Sequence, residues 1–121
     1  MGKRIYIIED SPELIDLLTE ALSHEGFDVF SQDTGRQAVA KIKEAKPDLI
    51  LLDVMLPGLD GHAIAGQLSA DDATKSIPII VLTALGQAKS MFDKFPQVRG
   101  FNLKPFTTEE LLTSIKTALQ V

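Results

Sequence analysis

The sequence predicts a doubly wound α/β domain built on a parallel sheet, and three observations carry that prediction. Leu49, Ile50, Leu51 and Leu52 form a continuous apolar run after Pro47, too short for a helix and suited to a strand buried on both faces. Strand-like and helix-like patterns alternate five times along the chain, as a sheet with crossover helices requires. The apolar runs end abruptly in polar residues: Glu9-Asp10, Asp53, Thr83 and Lys104.

The elements follow in order. Residues 4–8, RIYII, are β-branched and aromatic and read as the first strand. Ser11 is placed as an N-cap and Pro12 at the first helical position, with Leu14, Leu17, Leu18, Ala21 and Leu22 at helical spacing and Gly26 as the stop. Residues 27–31 make a second, shorter strand at the sheet edge. Thr34-Gly35 opens a second helix that buries Ala38, Val39, Ile42 and Ala45, and Pro47 closes it. The third strand stops at Asp53, and Pro57-Gly58 and Asp60-Gly61 mark turns. A helix over about 62–68 buries Ile64, Ala65 and Leu68, and the polar stretch 69–76 is a loop. Residues 78–82 form a fourth buried strand ending at Thr83. A weak helix over 87–95 is cut by Pro96. Residues 100–103 give a brief fifth strand before Lys104-Pro105. Thr107 and Glu110 form a capping box opening a last helix that carries Leu111, Leu112, Ile115 and Leu119.

Composition narrows the function classes. A chain of 121 residues is read as one domain, 1–121, without repeat, linker or internal boundary. It has no cysteine, which excludes disulfides, thiolate metal sites and cysteine nucleophiles. Lys and Arg are scattered and the net charge is −5, which argues against direct nucleic-acid binding and suits a basic docking partner or a metal cation. The N-terminus is no signal peptide and no apolar run reaches the ~20 residues of a membrane span, so a cytoplasmic location without membrane association is expected.

In a parallel sheet all strands end on one edge, where ligands of open α/β sheets bind. Glu9, Asp10, Asp53, Thr83 and Lys104 are therefore expected on one rim. Each has a plainer reading in isolation. Asp53 can cap the next helix, Glu9-Asp10 can serve the helix dipole, Thr83 can cap a turn, and Lys104 can be a solvated surface lysine. Phe101 can be core packing, and His24 and His62 are read as surface residues. Together, three carboxylates repel unless a cation joins them. Oxygen-only ligands favour Mg²⁺, Mn²⁺ or Ca²⁺ over zinc. One carboxylate is then left as a nucleophile toward phosphorus, with Thr83 and Lys104 as donors to phosphoryl oxygens, a set that fits phosphoryl transfer.

These residues, in this order, resemble the receiver domain of bacterial two-component response regulators across the whole chain. The resemblance rests on Glu9-Asp10, on Asp53 with Pro57-Gly58-x-Asp60-Gly61, on Thr83-Ala84 and on Lys104-Pro105-Phe106. It implies a flavodoxin-like sheet of order 2-1-3-4-5 with five helices. It implies that Asp53 accepts a phosphoryl group from a sensor histidine kinase, a histidine phosphotransfer protein or a small phosphodonor. Mg²⁺ (or Mn²⁺) would be held by Asp10, Asp53 and the backbone carbonyl of Met55, with Glu9 acting through water. Lys104 would contact the phosphoryl group, Thr83 would move toward it, and Phe101 would couple its rotamer to that shift. Ala84 would leave the site open, and a cis Lys104-Pro105 bond would help aim the lysine.

The resemblance further implies a switch without turnover on a separate substrate. It would act on a downstream protein or an output domain outside this chain, as a monomer or a phosphorylation-dependent dimer. The output face would be built from the fourth predicted helix, the fifth strand and the last helix. There Pro96-Gln97-Val98-Arg99-Gly100 and the bulky Met91, Phe92 and Phe95 depart from the usual pattern, leaving the partner and dimer geometry open. Three rival readings share the architecture. A flavodoxin-type module needs a Ser/Thr/Gly-rich phosphate loop after strand one, where this chain has Glu-Asp-Ser-Pro-Glu, and it has no Trp to stack on a flavin. An aspartate-nucleophile phosphatase resembles DxDx[T/V] after its first strand, which is absent. A scaffold receiver that is never phosphorylated keeps the fold and drops the chemistry.

Overall fold

The computed structural model describes residues 2–32, 37–53, 61–84, 92 and 95–119. Five parallel strands form one sheet of order β2-β1-β3-β4-β5: β1 (Arg4–Ile8), β2 (Asp28–Gln32), β3 (Leu49–Asp53), β4 (Ile79–Thr83) and β5 (Val98–Leu103). Four helices lie among the described residues: α1 (Pro12–His24), α2 (Ala38–Ala45), α3 (Gly61–Ser69) and α4 (Thr108–Leu119). This is the doubly wound, flavodoxin-like fold that alternation predicts. The helix expected over 87–95 lies outside the described residues apart from Phe92 and Phe95, as does the Thr34-Gly35 start of the second helix.

The period-two alternation of the strands divides the core into two layers. Tyr6, Ile8, Ile50, Leu52, Ile79 and Val81 face α2 and α3, packing on Ala38, Ile42, Ile64, Ala65, Leu68 and Phe92. Ile5, Ile7, Leu49, Leu51, Ile80 and Leu82 face α1 and α4, packing on Leu18, Leu22, Leu111 and Ile115. β3 and β4 are buried at every residue, which is why they read as unbroken apolar runs.

Local chemistry sets the helix ends. Ser11 Oγ accepts the Leu14 amide at 3.3 Å and Pro12 follows at the first turn. Gly26, at φ +93°, lets the chain leave α1 while the Phe27 amide reaches back to the Leu22 carbonyl at 3.1 Å. Lys46 ends α2 in the left-handed region at φ 50°, before Pro47. Thr107 and Glu110 form the reciprocal capping box of α4, with bonds of 3.0 and 2.9 Å.

Several boundaries and exposures differ from the sequence reading. β2 runs over Asp28–Gln32 rather than 27–31. β5 begins at Val98, two residues before Gly100, because Ile79 pairs with Val98 but Ile80 with Gly100, and this irregularity absorbs Arg99. Leu17 lies at helical spacing yet is 53% exposed, outside the stripe formed by Leu18 and Leu22. His62 is not a surface residue. Its ring stands 5.5 Å from that of Phe92 and 5.2 Å from that of Phe95, half-buried on α3. His24 is exposed in the last turn of α1, as expected.

Candidate functional site

Four of the five strands deliver polar residues to one edge of the sheet. Glu9 and Asp10 follow β1, Asp53 ends β3, Thr83 ends β4 and Lys104 follows β5. The parallel ladders align these ends: Ile8 pairs with Leu52, Asp53 with Leu82 and Thr83 with Leu103. Glu9, Asp53 and Thr83 are buried at 1%, 4% and 1% exposure, whereas Asp10 and Ala84 face solvent. The edge therefore has a dry floor and an open mouth.

Lys104 ties the floor together. Its Nζ donates to Glu9 Oε1 at 3.0 Å and to Asp53 Oδ2 at 3.3 Å, and its backbone amide donates to the Thr83 carbonyl at 2.7 Å. The Lys104–Pro105 peptide is cis. Glu9 uses its other oxygen, Oε2, to accept the Ser11 amide at 3.2 Å, so the turn into α1 also fixes this carboxylate. One oxygen from each of Glu9, Asp10 and Asp53 lies within 4.8 Å of the other two.

Burial dominates the electrostatics. It pushes the Glu9 carboxyl up to about 6, with the neighbouring Asp53 charge adding to the rise and the Lys104 ammonium opposing it. Burial alone would lower Lys104, but its hydrogen bond to Glu9 and the Asp53 charge outweigh it and leave the ammonium raised. With all groups ionised, one ammonium among three carboxylates leaves two formal negative charges. A hard divalent cation on oxygen-only donors matches that deficit, and the open side at Asp10 gives it access.

The positions expected from sequence at the strand ends, Glu9, Asp10, Asp53, Thr83, Ala84 and Lys104, come together at this edge. Phe101 lies further along β5, half-buried, its ring edge-on to Phe92 at 5.9 Å. It is part of an aromatic cluster that also holds His62 and Phe95. Met55, Pro57, Gly58 and Asp60 lie outside the described residues, and Gly61 is the buried first residue of α3. Sequence reasoning missed a buried anchor at the other end of β5, away from the site. Gln97 is 5% exposed; its Nε2 donates to the Thr74 and Ile77 carbonyls at 3.1 and 2.8 Å, and its Oε1 accepts Ser69 Oγ at 2.8 Å. Its only sequence signal is a polar residue after the Pro96 break.

Among the described residues no helix is long and apolar enough to cross a membrane. Residues 5–116 match the response regulator receiver domain model. The chain is 37% identical over 118 residues to the DNA-binding dual master transcriptional regulator RpaA of Synechocystis, covering 97% of this chain and 49% of that one. It is 35% identical over 117 residues to the protein PilH of Pseudomonas aeruginosa, covering 96% and 97%. It thus spans about half the length of its DNA-binding relatives and nearly all of PilH. Among solved structures it superposes, at TM-score 0.89 and 28% identity over 100% of both chains, on the receiver domain of a sensor histidine kinase of Pseudomonas aeruginosa with a magnesium ion in its active-site cleft. An acidic rim built at the strand ends of a 2-1-3-4-5 sheet and a family match over nearly the whole chain converge: the chain belongs to the response regulator receiver domain family of two-component signalling modules.

Proposed function

We propose that this chain is a phosphorylation-operated switch in which Asp53 accepts a phosphoryl group. The donor is the phosphohistidine of a sensor histidine kinase or a histidine phosphotransfer protein, or a small phosphodonor such as acetyl phosphate. The observation that carries the reading is the placement of Asp53: a carboxylate 4% exposed at a strand end, 3.3 Å from an ammonium and beside two further carboxylates. A nucleophile in such a site sheds little water before it attacks, and the fixed charges around it need little reorganisation.

An Asp53 carboxylate oxygen forms the new O–P bond as the P–N bond of the donor breaks, and the bonding electron pair returns to the donor imidazole. Lys104, already within reach of Asp53, turns its ammonium to an oxygen of the transferred group. Thr83, fixed at the end of β4 beside Lys104, offers its hydroxyl to a second phosphoryl oxygen. The exposed Ala84 leaves room for the group to enter, and Pro105 follows the lysine in the turn that presents it. Mg²⁺ (or Mn²⁺), held by Asp10, Asp53 and the Met55 carbonyl with Glu9 acting through water, would supply the charge neutralisation that phosphoryl oxygens need. The magnesium-containing cleft of the similar kinase receiver supports this assignment.

The switch is read out where Phe101 meets Phe92. A shift of Thr83 toward the phosphoryl group frees space along β4–β5, and Phe101, half-buried, changes its packing in response. The face around Phe92, β5 and α4 then engages a downstream protein or an output domain. The chain has no turnover on a separate substrate; it catalyses only its own phosphorylation and dephosphorylation.

Intact-protein mass after incubation with acetyl phosphate tests the proposal. A single phosphoryl adduct that requires Mg²⁺ and disappears in Asp53→Asn is expected, with the variant keeping the wild-type circular dichroism spectrum. Undiminished labelling of Asp53→Asn would move the acceptor to another residue.

A further inference from the structure

β2 is one of the two edges of the sheet and, among the described residues, is bonded to β1 alone. Free edges are usually blunted by lysine, proline or bulges, because unpaired backbone groups recruit other strands. β2, DVFSQ, carries none of these, and its one charge is Asp28 at the first position. At its centre Phe30 is 41% exposed. The Phe30 ring stacks on Tyr6 at 6.3 Å and an interplanar angle of 21°, so its outer face continues an aromatic surface beginning inside the core.

We propose that this edge pairs with the same edge of a second copy, antiparallel and centred on Phe30, continuing the sheet from one molecule into the next. The hydrogen-bond pattern limits the register to those that oppose outward residues, and use of the whole strand selects among them. The Asp28 amide donates to the Lys3 carbonyl at 2.9 Å, and the Gln32 carbonyl accepts from Glu9 at 3.1 Å. Residues 28, 30 and 32 thus turn their backbone groups toward β1, and residues 29 and 31 turn theirs outward. In an antiparallel pair, outward residues must oppose outward residues. Val29 opposite Ser31 of the second copy meets that requirement, and the twofold repeats it, so both outward residues exchange their N–H and C=O groups.

The same register uses the whole strand and leaves no like charges opposed. Asp28 lies opposite Gln32 of the second copy, a carboxylate facing an amide that can donate to it. Phe30 falls opposite its own copy in a position without mutual backbone bonds, where side chains approach most closely. The two rings, each backed by its own Tyr6, meet on the face that α2 covers. Lys41 and Glu44 of α2 line the cleft beside the ring. The twofold therefore brings a cation and an anion from each molecule to one seam. A strand pair of this size buries little area, so the association is weak and does not depend on the phosphorylation chemistry at the opposite side of β1.

Sedimentation equilibrium without phosphodonor, in EDTA, tests this independently of Asp53. The weight-average mass is expected to rise toward that of a dimer as the protein approaches about 1 mM, the range of a marginal contact. Phe30→Glu is expected to stay monomeric with unchanged circular dichroism. Because the chain has no cysteine, Phe30→Cys provides a second readout. Opposed positions without backbone bonds stand about 4.5 Å apart at Cα, within disulfide reach. Phe30→Cys should oxidise to a covalent dimer at least tenfold faster than Asp72→Cys, whose side chain is exposed in the loop between α3 and β4. A wild-type protein monomeric throughout, equal oxidation of the two cysteine variants, or a dimer unaffected by Phe30→Glu (as one built on the face around Phe101 would be) overturns the proposal.

Discussion

Lys104 reaches across 95 residues of sequence to place its ammonium 3.0 Å from Glu9, joining the end of β1 to the turn after β5. The same ammonium touches Asp53, so one cation holds two buried carboxylates that would otherwise repel. The pair stabilises the local arrangement chiefly by preventing an uncompensated buried charge.

Lys104→Ala is therefore expected to destabilise the metal-free protein at neutral pH by about 2 kcal/mol. That is less than the ~3–5 kcal/mol of a fully buried pair, because Lys104 keeps 28% of its side chain exposed. Urea unfolding at pH 7 in EDTA measures it. The deficit should shrink at pH 5, where Glu9 can take a proton, and an equal deficit at both values would assign the loss to packing.

Glu9 makes stability depend on pH in the opposite direction from most carboxylates. Its carboxyl stands at about 6 in the folded chain against an ordinary 4.5, so the folded state binds more protons between those values. Its contribution is fully present below pH 4.5 and is lost as pH rises through about 6. The difference corresponds to about 2 kcal/mol. Glu9→Gln keeps the shape and cannot titrate. The wild-type stability measured in EDTA should fall relative to this variant between pH 4.5 and 7; a constant difference would place the Glu9 carboxyl in its ordinary range.

Asp10 separates cation binding from folding. It is exposed beside the buried pair, so Asp10→Asn should alter metal-free stability by no more than about 0.5 kcal/mol. The same change should weaken Mg²⁺ at least tenfold. At a Mg²⁺ concentration about ten times the dissociation constant, wild type gains about 1.4 kcal/mol, a rise of several degrees in Tm, and the variant no more than about 0.4 kcal/mol. Equal Mg²⁺-dependent shifts in both proteins would remove Asp10 from the cation site.

The strand ends were readable in advance because β3 and β4 are buried on both faces, and burial leaves an unbroken apolar run with a sharp polar stop. Parallel order then places Glu9, Asp53, Thr83 and Lys104 on one edge without further information. What sequence concealed depends on contacts between distant segments. His62 looks like a solvated helix residue until Phe92 and Phe95 close around it. The early start of β5 depends on an irregular pairing between Ile79 and Ile80 that no local pattern announces. Leu17 shows the converse, an apolar residue at helical spacing that the sheet does not reach.

Gln97 is the clearest case of a support that periodicity cannot reveal, and it yields the last prediction. Its amide bonds three groups from residues 20 to 28 positions away: Ser69 at the end of α3, and the Thr74 and Ile77 carbonyls in the loop before β4. Its own carbonyl accepts the Ile79 amide at 2.8 Å, so the same residue also starts the β4–β5 ladder. Gln97→Leu keeps the bulk but leaves the Ile77 carbonyl without its donor and the Thr74 carbonyl with the Ile77 amide alone, at a cost of about 1–3 kcal/mol. The loss should be uneven. Amide hydrogen exchange at residues 74–77 should accelerate far more than at the centre of β3, because the loop loses its anchor while the inner sheet keeps its pairing. A stability change below about 0.5 kcal/mol with unaltered exchange would make the Gln97 bonds incidental to the fold.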